Sequence, residues 1–303
     1  MDRQLRHAHT KGQDRRDNQP GERGDERPHP ADDHLDIAVK NVTKGEILLE
    51  AKDVVKHFGG VHAVDGISVQ FKAGEVHGII GPNGSGKSTL ISALTRYHEL
   101  TSGSVTLLGA EADKKPFKVA RDGVTRVFQI PHLFERVSVL DNVLTGMYRR
   151  DKYNIFDAIF RTPRYLKANS RSVAEAKALL SLAGMLGMEE LAAGSISHGQ
   201  KRLLEVIRAV ATEPKILILD EPATGLTQDE MHSLTNLIRT LAAGGMCVVL
   251  IEHNVAFLMD LADIVTVIQS GKVIAEGTPK EVQKNERVLE AYLGNTDFSK
   301  ELA

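Results

Sequence analysis

Gly81-Pro82-Asn83-Gly84-Ser85-Gly86-Lys87-Ser88-Thr89 completes the spacing G-x-x-x-x-G-K-[ST], and the chemistry of that spacing is phosphate binding. Its three glycines let the backbone fold tightly and turn N–H groups inward as a nest for phosphate oxygens. A helix starting at the end of the loop adds free N–H groups and the positive end of its dipole. Lys87 supplies a mobile cation for terminal phosphates, and Ser88 a hydroxyl for Mg²⁺. A chance match in a glycine-rich loop arises in roughly one chain in a hundred of this length.

A second constellation is Ile216-Leu217-Ile218-Leu219-Asp220-Glu221, an apolar run that ends in two acids. A buried strand explains the apolar part without any function. It does not explain two carboxylates at the exit, where parallel sheets place their ligands. Asp220 is suited to hold Mg²⁺ through water, and Glu221 to polarise an attacking water. A third is Ile196-Ser197-His198-Gly199-Gln200. S-x-x-Q is a capping box, which by itself accounts for Ser197 and Gln200. A capped helix start is also an anion site, so on these residues alone both readings stand. Gln129 at a strand end and His253 after an apolar run carry no signal singly.

The elements that position these groups follow from periodicity. Strands are expected at Ile47–Ala51, Ile67–Phe71, Val76–Ile80, Ser104–Leu108, Thr125–Gln129, Ile216–Leu219, Cys247–Ile251, Ile264–Ile268 and Val273–Ala275. Helices are expected at Leu90–Tyr97, at Lys201–Thr212, before Leu241 and from Asn254. Residues 137–193 read as helical, with Leu140, Val143, Leu144 and Met147 on one face and Val173, Ala176, Leu179 and Leu180 on another. An insertion at residues 151–168, rich in aromatic and basic residues, is expected to be broken by Pro163. The fold class is α/β: a P-loop NTPase core with an antiparallel β subdomain and an inserted helical subdomain at about 131–194. That domain is expected over residues 45–294, between a disordered polar tail at 1–44 and a C-terminal tail at 295–303. No internal repeat is visible, so a single nucleotide-binding domain is expected.

Composition narrows the setting. The chain has 303 residues, 42% hydrophobic and 26% charged, ordinary for a water-soluble globular protein. Its 38 basic and 40 acidic residues nearly cancel, so nothing calls for nucleic acid as a partner. The one cysteine, Cys247, lies in an apolar run and is expected to be a buried, inert thiol in a reducing compartment. No apolar run approaches the length of a membrane span, and the first residues lack the apolar centre of a secretory signal. His7, His9, His29 and His34 are spaced too irregularly for a metal site.

The order of the motifs, GPNGSGKST, Gln129, ISHGQ, ILILDE and His253, resembles the ATP-binding subunit of ABC transporters across residues 47–294. FGGVHAVDGIS, RVFQIPHLFERVSVLDNVL, DEPATGL, LIEHNVAFLMDLAD and VLEAYLG are similar to one subgroup, the ATPases of branched-chain amino acid importers, with close relatives in urea and amide uptake. The resemblance implies ATP and Mg²⁺ as ligands, with the phosphates in the loop Gly81, Pro82, Asn83, Gly84, Ser85, Gly86, Lys87, Ser88 and Thr89. It implies that Phe58 stacks on adenine and that Ser88, Gln129 and Asp220 hold or sense the metal. Glu221 would be the catalytic base, with Lys87, Gln129 and His253 completing the catalytic set. Ser197, Gly199 and Gln200 would meet the γ-phosphate held by an opposite subunit. The implied partners are integral-membrane permease subunits, a second ATP-binding subunit (a related chain rather than a second copy) and, indirectly, an extracytoplasmic solute-binding protein. The implied location is the cytoplasmic face of the inner membrane, held there by the permease.

Two positions depart from the family pattern. The signature LSGGQ reads ISHGQ here, with His198 at its first glycine, and the loop after Glu221 reads Thr224-Gly225-Leu226-Thr227 without the usual aspartate. Other readings fit less well. Soluble ABC ATPases of DNA repair or the ribosome join two cassettes or insert long coiled coils, and neither is present. An ATPase of lipopolysaccharide export is opposed by the insertion and the missing aspartate. A small-molecule P-loop kinase leaves ISHGQ and His253 without purpose.

Overall fold

A computed structural model describes Val39 and residues 42–112, 115–129, 132–148 and 155–293. The expectations placed on residues 1–38, the four tail histidines among them, and on residues 294–303 lie outside the described residues. Two strand groups form two sheets. β1 (Ile47–Phe58) and β2 (Val61–Lys72) make an antiparallel hairpin around Gly59-Gly60, with Phe58 opposite Val61. β4 (Ser102–Leu107) pairs with the other edge of β1, and β5 (Ala110–Glu111) with β4, giving the order β2-β1-β4-β5.

β3 (Val76–Ile80) instead enters a six-stranded sheet with β6 (Val124–Val127), β7 (Ile216–Asp220), β8 (Cys247–Ile251), β9 (Ile264–Gln269) and β10 (Lys272–Gly277). Its order is β10-β9-β3-β8-β7-β6, parallel throughout except for the edge strand β10. Side chains alternate across a strand, so this sheet divides two cores. Leu217, Leu219, Val248 and Leu250 face one core, and Ile216, Ile218, Cys247, Val249 and Ile251 face the other. Burial on both faces is why these strands read as unbroken apolar runs. Cys247 is fully buried, and desolvation, helped by the charge of Glu75, drives its thiol pKa upward. It is the inert core residue expected.

Ten helices are present among the described residues: α1 (Lys87–Leu94), α2 (Pro116–Arg121), α3 (Val139–Met147), α4 (Ile155–Ile159), α5 (Pro163–Leu182), α6 (His198–Val210), α7 (Gln228–Ala243), α8 (Val255–Leu261), α9 (Pro279–Gln283) and α10 (Glu286–Leu293). The faces read from periodicity meet in one core: Val143 and Met147 of α3, Ala176, Leu179 and Leu180 of α5, and Leu203, Leu204 and Ile207 of α6. Each large side chain buried there contributes about 1.5–3 kcal/mol. Gly146 lets α3 lie against α6, since a Cβ there would come 2.4 Å from the Arg208 carbonyl oxygen.

Three expectations are corrected. Pro163 does not break the insertion but opens α5, with the Thr162 hydroxyl accepting from the Tyr165 N–H as N-cap. Proline is well placed at a first helical position, where its missing N–H has no intrahelical partner to lose. α1 starts at Lys87 and ends at Leu94 rather than spanning Leu90–Tyr97, and Arg96 just beyond it takes φ +61°. β6 stops at Val127, so Gln129 lies past the strand rather than ending it.

Candidate functional site

The loop Gly81–Gly86 joins β3 to α1, and Gly86 is the helix N-cap at φ +107°. A Cβ at Gly86 would come 2.2 Å from the Ala63 carbonyl oxygen, and one at Gly81 would come 2.0 Å from that of Ile268. The β1–β2 hairpin and the end of β9 therefore press on the loop from outside and hold its curvature. Lys87 is buried, and its ammonium donates to the carbonyls of Gly81 at 2.7 Å and Pro82 at 3.1 Å. Desolvation lowers its pKa, while the charges of Glu221 and Asp220 pull the other way. Ser88 is exposed at the start of α1.

Glu221 sits where β7 ends, at φ +50°, a left-handed conformation unusual for a residue with a side chain. Its amide donates to the Ile251 carbonyl at 2.8 Å, which ties the turn to β8. Its carboxylate bridges two residues far apart in sequence. Gln129 Nε2 donates to Oε2 at 2.6 Å, and His253 Nε2 lies 2.7 Å from Oε1. A carboxylate only accepts, so His253 carries its proton on Nε2 toward Glu221. Gln129 and His253 thus meet on Glu221, whose charge also acts on Lys87.

Asp220 has a partner that the sequence reading missed. The Arg126 guanidinium donates to its Oδ2 at 2.7 Å and to Ser92 Oγ at 3.2 Å, and lies over the Phe128 ring. This pairing occupies one carboxylate oxygen. Arg202 is a second missed residue, 2% exposed on α6. It donates to the carbonyls of Phe128, Asp220 and Glu221 and pairs with Glu205 at 3.2 Å. Glu205 in turn accepts from the His132 amide at 3.1 Å. One buried arginine therefore fastens α6 to the exits of β6 and β7. The charged pair at i and i+3 inside the apolar run of α6 was the signal available for it.

Glu252, before His253, is a third. It is 3% exposed and accepts from the Ala223 amide at 2.7 Å. Burial pushes its carboxyl up to about 7, and the charge of Glu221 adds to the push against backbone N–H groups of Ala223, His253 and Asn254.

The remaining expected residues lie apart from this cluster. Ser197 is the N-cap of α6 in a full capping box with Gln200, so the capping reading of ISHGQ holds. Among the described residues the Ser197 hydroxyl bonds Gln200 and Glu230, and neither is in the phosphate loop. Phe58 ends β1 half-exposed, with Lys56 over its ring and His98 at its edge. Hard oxygen donors suit Mg²⁺, and Ser88, Gln129 and Asp220 each carry a side-chain oxygen.

Comparison with known proteins identifies the family. The family described as ABC transporter matches residues 64–224, and the one described as branched-chain amino acid ATP-binding cassette transporter matches residues 272–297. The high-affinity branched-chain amino acid transport ATP-binding protein BraF of Pseudomonas aeruginosa is 35% identical over 82% of this chain and 98% of its own. The corresponding protein LivG of Escherichia coli is 34% identical over the same shares. A crystal structure of an ABC transporter's ATP-binding cassette in its ADP conformation superposes with TM-score 0.70 at 32% identity, covering 82% of this chain and all of that one. A nucleotide-free cassette superposes with TM-score 0.69 at 31% identity, covering 82% and 99%. With motif order, fold and sequence in agreement, the chain belongs to the ATP-binding cassette family of ABC transporters, in its branched-chain amino acid branch.

Proposed function

We propose that this chain is the ATP-hydrolysing subunit of an importer that carries branched-chain amino acids through a membrane permease. The observation that carries the reading is the Glu221 carboxylate, held between Gln129 and His253 beside Lys87. Such a clamp fixes the orientation of a base, and each carboxylate oxygen keeps a further lone pair with which to accept. The names of the relatives support the solute class, and among the described residues no helix is long and apolar enough to cross a membrane. Attachment to the cytoplasmic face is then through permease subunits, which meet the helical subdomain near Gln129. A second, related ATP-binding subunit completes the sites.

In this reading Lys87 and the N–H groups at the start of α1 receive the phosphates of ATP. Ser88, Gln129 and Asp220 would hold Mg²⁺, which would supply charge neutralisation of the phosphates. Arg126 holds one oxygen of the Asp220 carboxylate. Glu221 accepts the proton of the attacking water, and His253 holds the carboxylate in line. Ser197 and Gly199 meet the γ-phosphate held by the opposite subunit, while Phe58 stacks on adenine. Catalysis is chiefly positioning and charge stabilisation.

Glu221→Gln tests this. ATP binding is expected to persist while turnover falls about 10²- to 10⁴-fold, the usual worth of a general base. Turnover near that of the wild type would remove Glu221 from the mechanism. Purification of the chain from solubilised membranes together with permease subunits tests the transport assignment.

A further inference from the structure

The capping boxes of α6 and α7 are joined through one carboxylate. Glu230, at the third position of α7, accepts through Oε2 from the Thr227 amide at 2.9 Å and the Thr227 hydroxyl at 3.0 Å. Its other oxygen accepts from the Ser197 hydroxyl at 2.8 Å. Ser197 Oγ meanwhile accepts from the Gln200 amide at 3.0 Å. The carboxylate lies flat on the start of α6, where a Cβ added at Gly199 would come 2.0 Å from Oε2 and 2.5 Å from Oε1. No larger residue fits at 199 while Glu230 holds this place. The Thr227 amide, then Ser197, the Thr227 hydroxyl and the charge of His198 all favour its ionised form.

A hydroxyl has one proton to donate. That of Ser197 is committed to Glu230, and what remains on Oγ is a lone pair, which an anionic phosphate oxygen does not accept. A carboxylate on the first turn of a helix also takes the place that an incoming anion would use. We infer that Glu230 is a positioning residue that acts as an internal competitor for phosphate at the Ser197–Gly199 helix start. It must release Ser197 before the hydroxyl can turn to the γ-phosphate of a paired subunit, and it thereby sets the ATP concentration at which the pair closes. This rests on the reading above that Ser197 meets that phosphate.

Glu230→Gln keeps an oxygen for Thr227, and glutamine is accepted in a capping box. Its amide N–H₂ donates to Ser197 Oγ and frees the serine proton. Steady-state hydrolysis of MgATP by the full chain with its companion subunit is the assay. The apparent KM is expected to fall about tenfold, the difference between a charge-assisted and a neutral hydrogen bond, with kcat changed much less. In a Ser197→Ala background the same substitution is expected to lower KM much less, since no hydroxyl remains to be released and only the charge at the helix start is removed. Glu230→Ala should lower KM as well, though with a weaker α7. An unchanged or raised KM in Glu230→Gln overturns the inference, as does an equal fall with and without Ser197. Either result leaves the ATPase assignment standing. A wild-type chain that neither binds nor cleaves ATP sinks the assignment itself, and this inference with it.

Discussion

Glu252 gives the sharpest test of the electrostatics around the site. Its carboxyl is raised from an ordinary 4.5 to about 7, with burial as the main cause and the charge of Glu221 second among the raising effects. The native state therefore holds this proton to higher pH than the unfolded chain does. Between about pH 4.5 and about pH 7 the unfolded state binds fewer protons, so stability falls as pH rises through that window. The contribution is fully present below the window and lost above it. A separation of this size corresponds to about 3 kcal/mol. Glu252→Gln preserves the acceptor for the Ala223 amide and removes the ionisation. Unfolding by urea should show the two proteins equally responsive to pH except for this term. The variant's advantage is expected to grow by about 2.5 kcal/mol between about pH 5 and about pH 8.5, or roughly 5 °C in Tm. Comparing the two proteins at each pH cancels the titrating groups that do not interact with Glu252. In a Glu221→Gln background the growth should shrink, because one cause of the raised pKa is gone. A difference that stays flat across this range, or that narrows as pH rises, would refute the reasoning.

Two further outcomes follow from packing. Arg202→Met leaves the Glu205 carboxylate buried without its cation and frees three carbonyls at the exits of β6 and β7; a loss of about 3–5 kcal/mol by denaturant unfolding is expected, and a loss within experimental error would mean that the fastening is idle. Gly86→Ala drives a Cβ to 2.2 Å from the Ala63 carbonyl oxygen at φ +107°. Fluorescent ATP-analogue titration should show binding reduced at least about tenfold, the result of a shift worth about 1.4 kcal/mol or more, whereas wild-type affinity would show that the hairpin yields.

Local chemistry was legible from the chain. The glycines, Lys87 and Ser88 of the loop act within nine consecutive residues, and the acids Asp220 and Glu221 directly follow the apolar run that becomes β7. The buried strand β7 was legible for the same reason, since burial on both faces leaves an apolar run in the sequence. Even the capping box of Ser197 is a short-range pattern. Gln129 and His253 were identifiable only by their order among the other motifs, because a single polar residue at a strand end carries no signal of its own.

The partners of those groups were not legible. Arg126 reaches Asp220 because β6 and β7 are neighbours in register, with Arg126 beside Ile218, across 94 positions of sequence. Arg202 gathers three carbonyls from two strand exits, and Glu230 closes on Ser197 from 33 residues away. Glu252 has its high pKa from the desolvation around it and from Glu221, neither of which is written in the residues beside it. Short-range patterns record which groups are available, because helix caps, tight loops and strand burial are decided by near neighbours. Charge pairing and desolvation depend on distance in space, and that distance exists only once β6, β7, β8 and the starts of α6 and α7 have packed together.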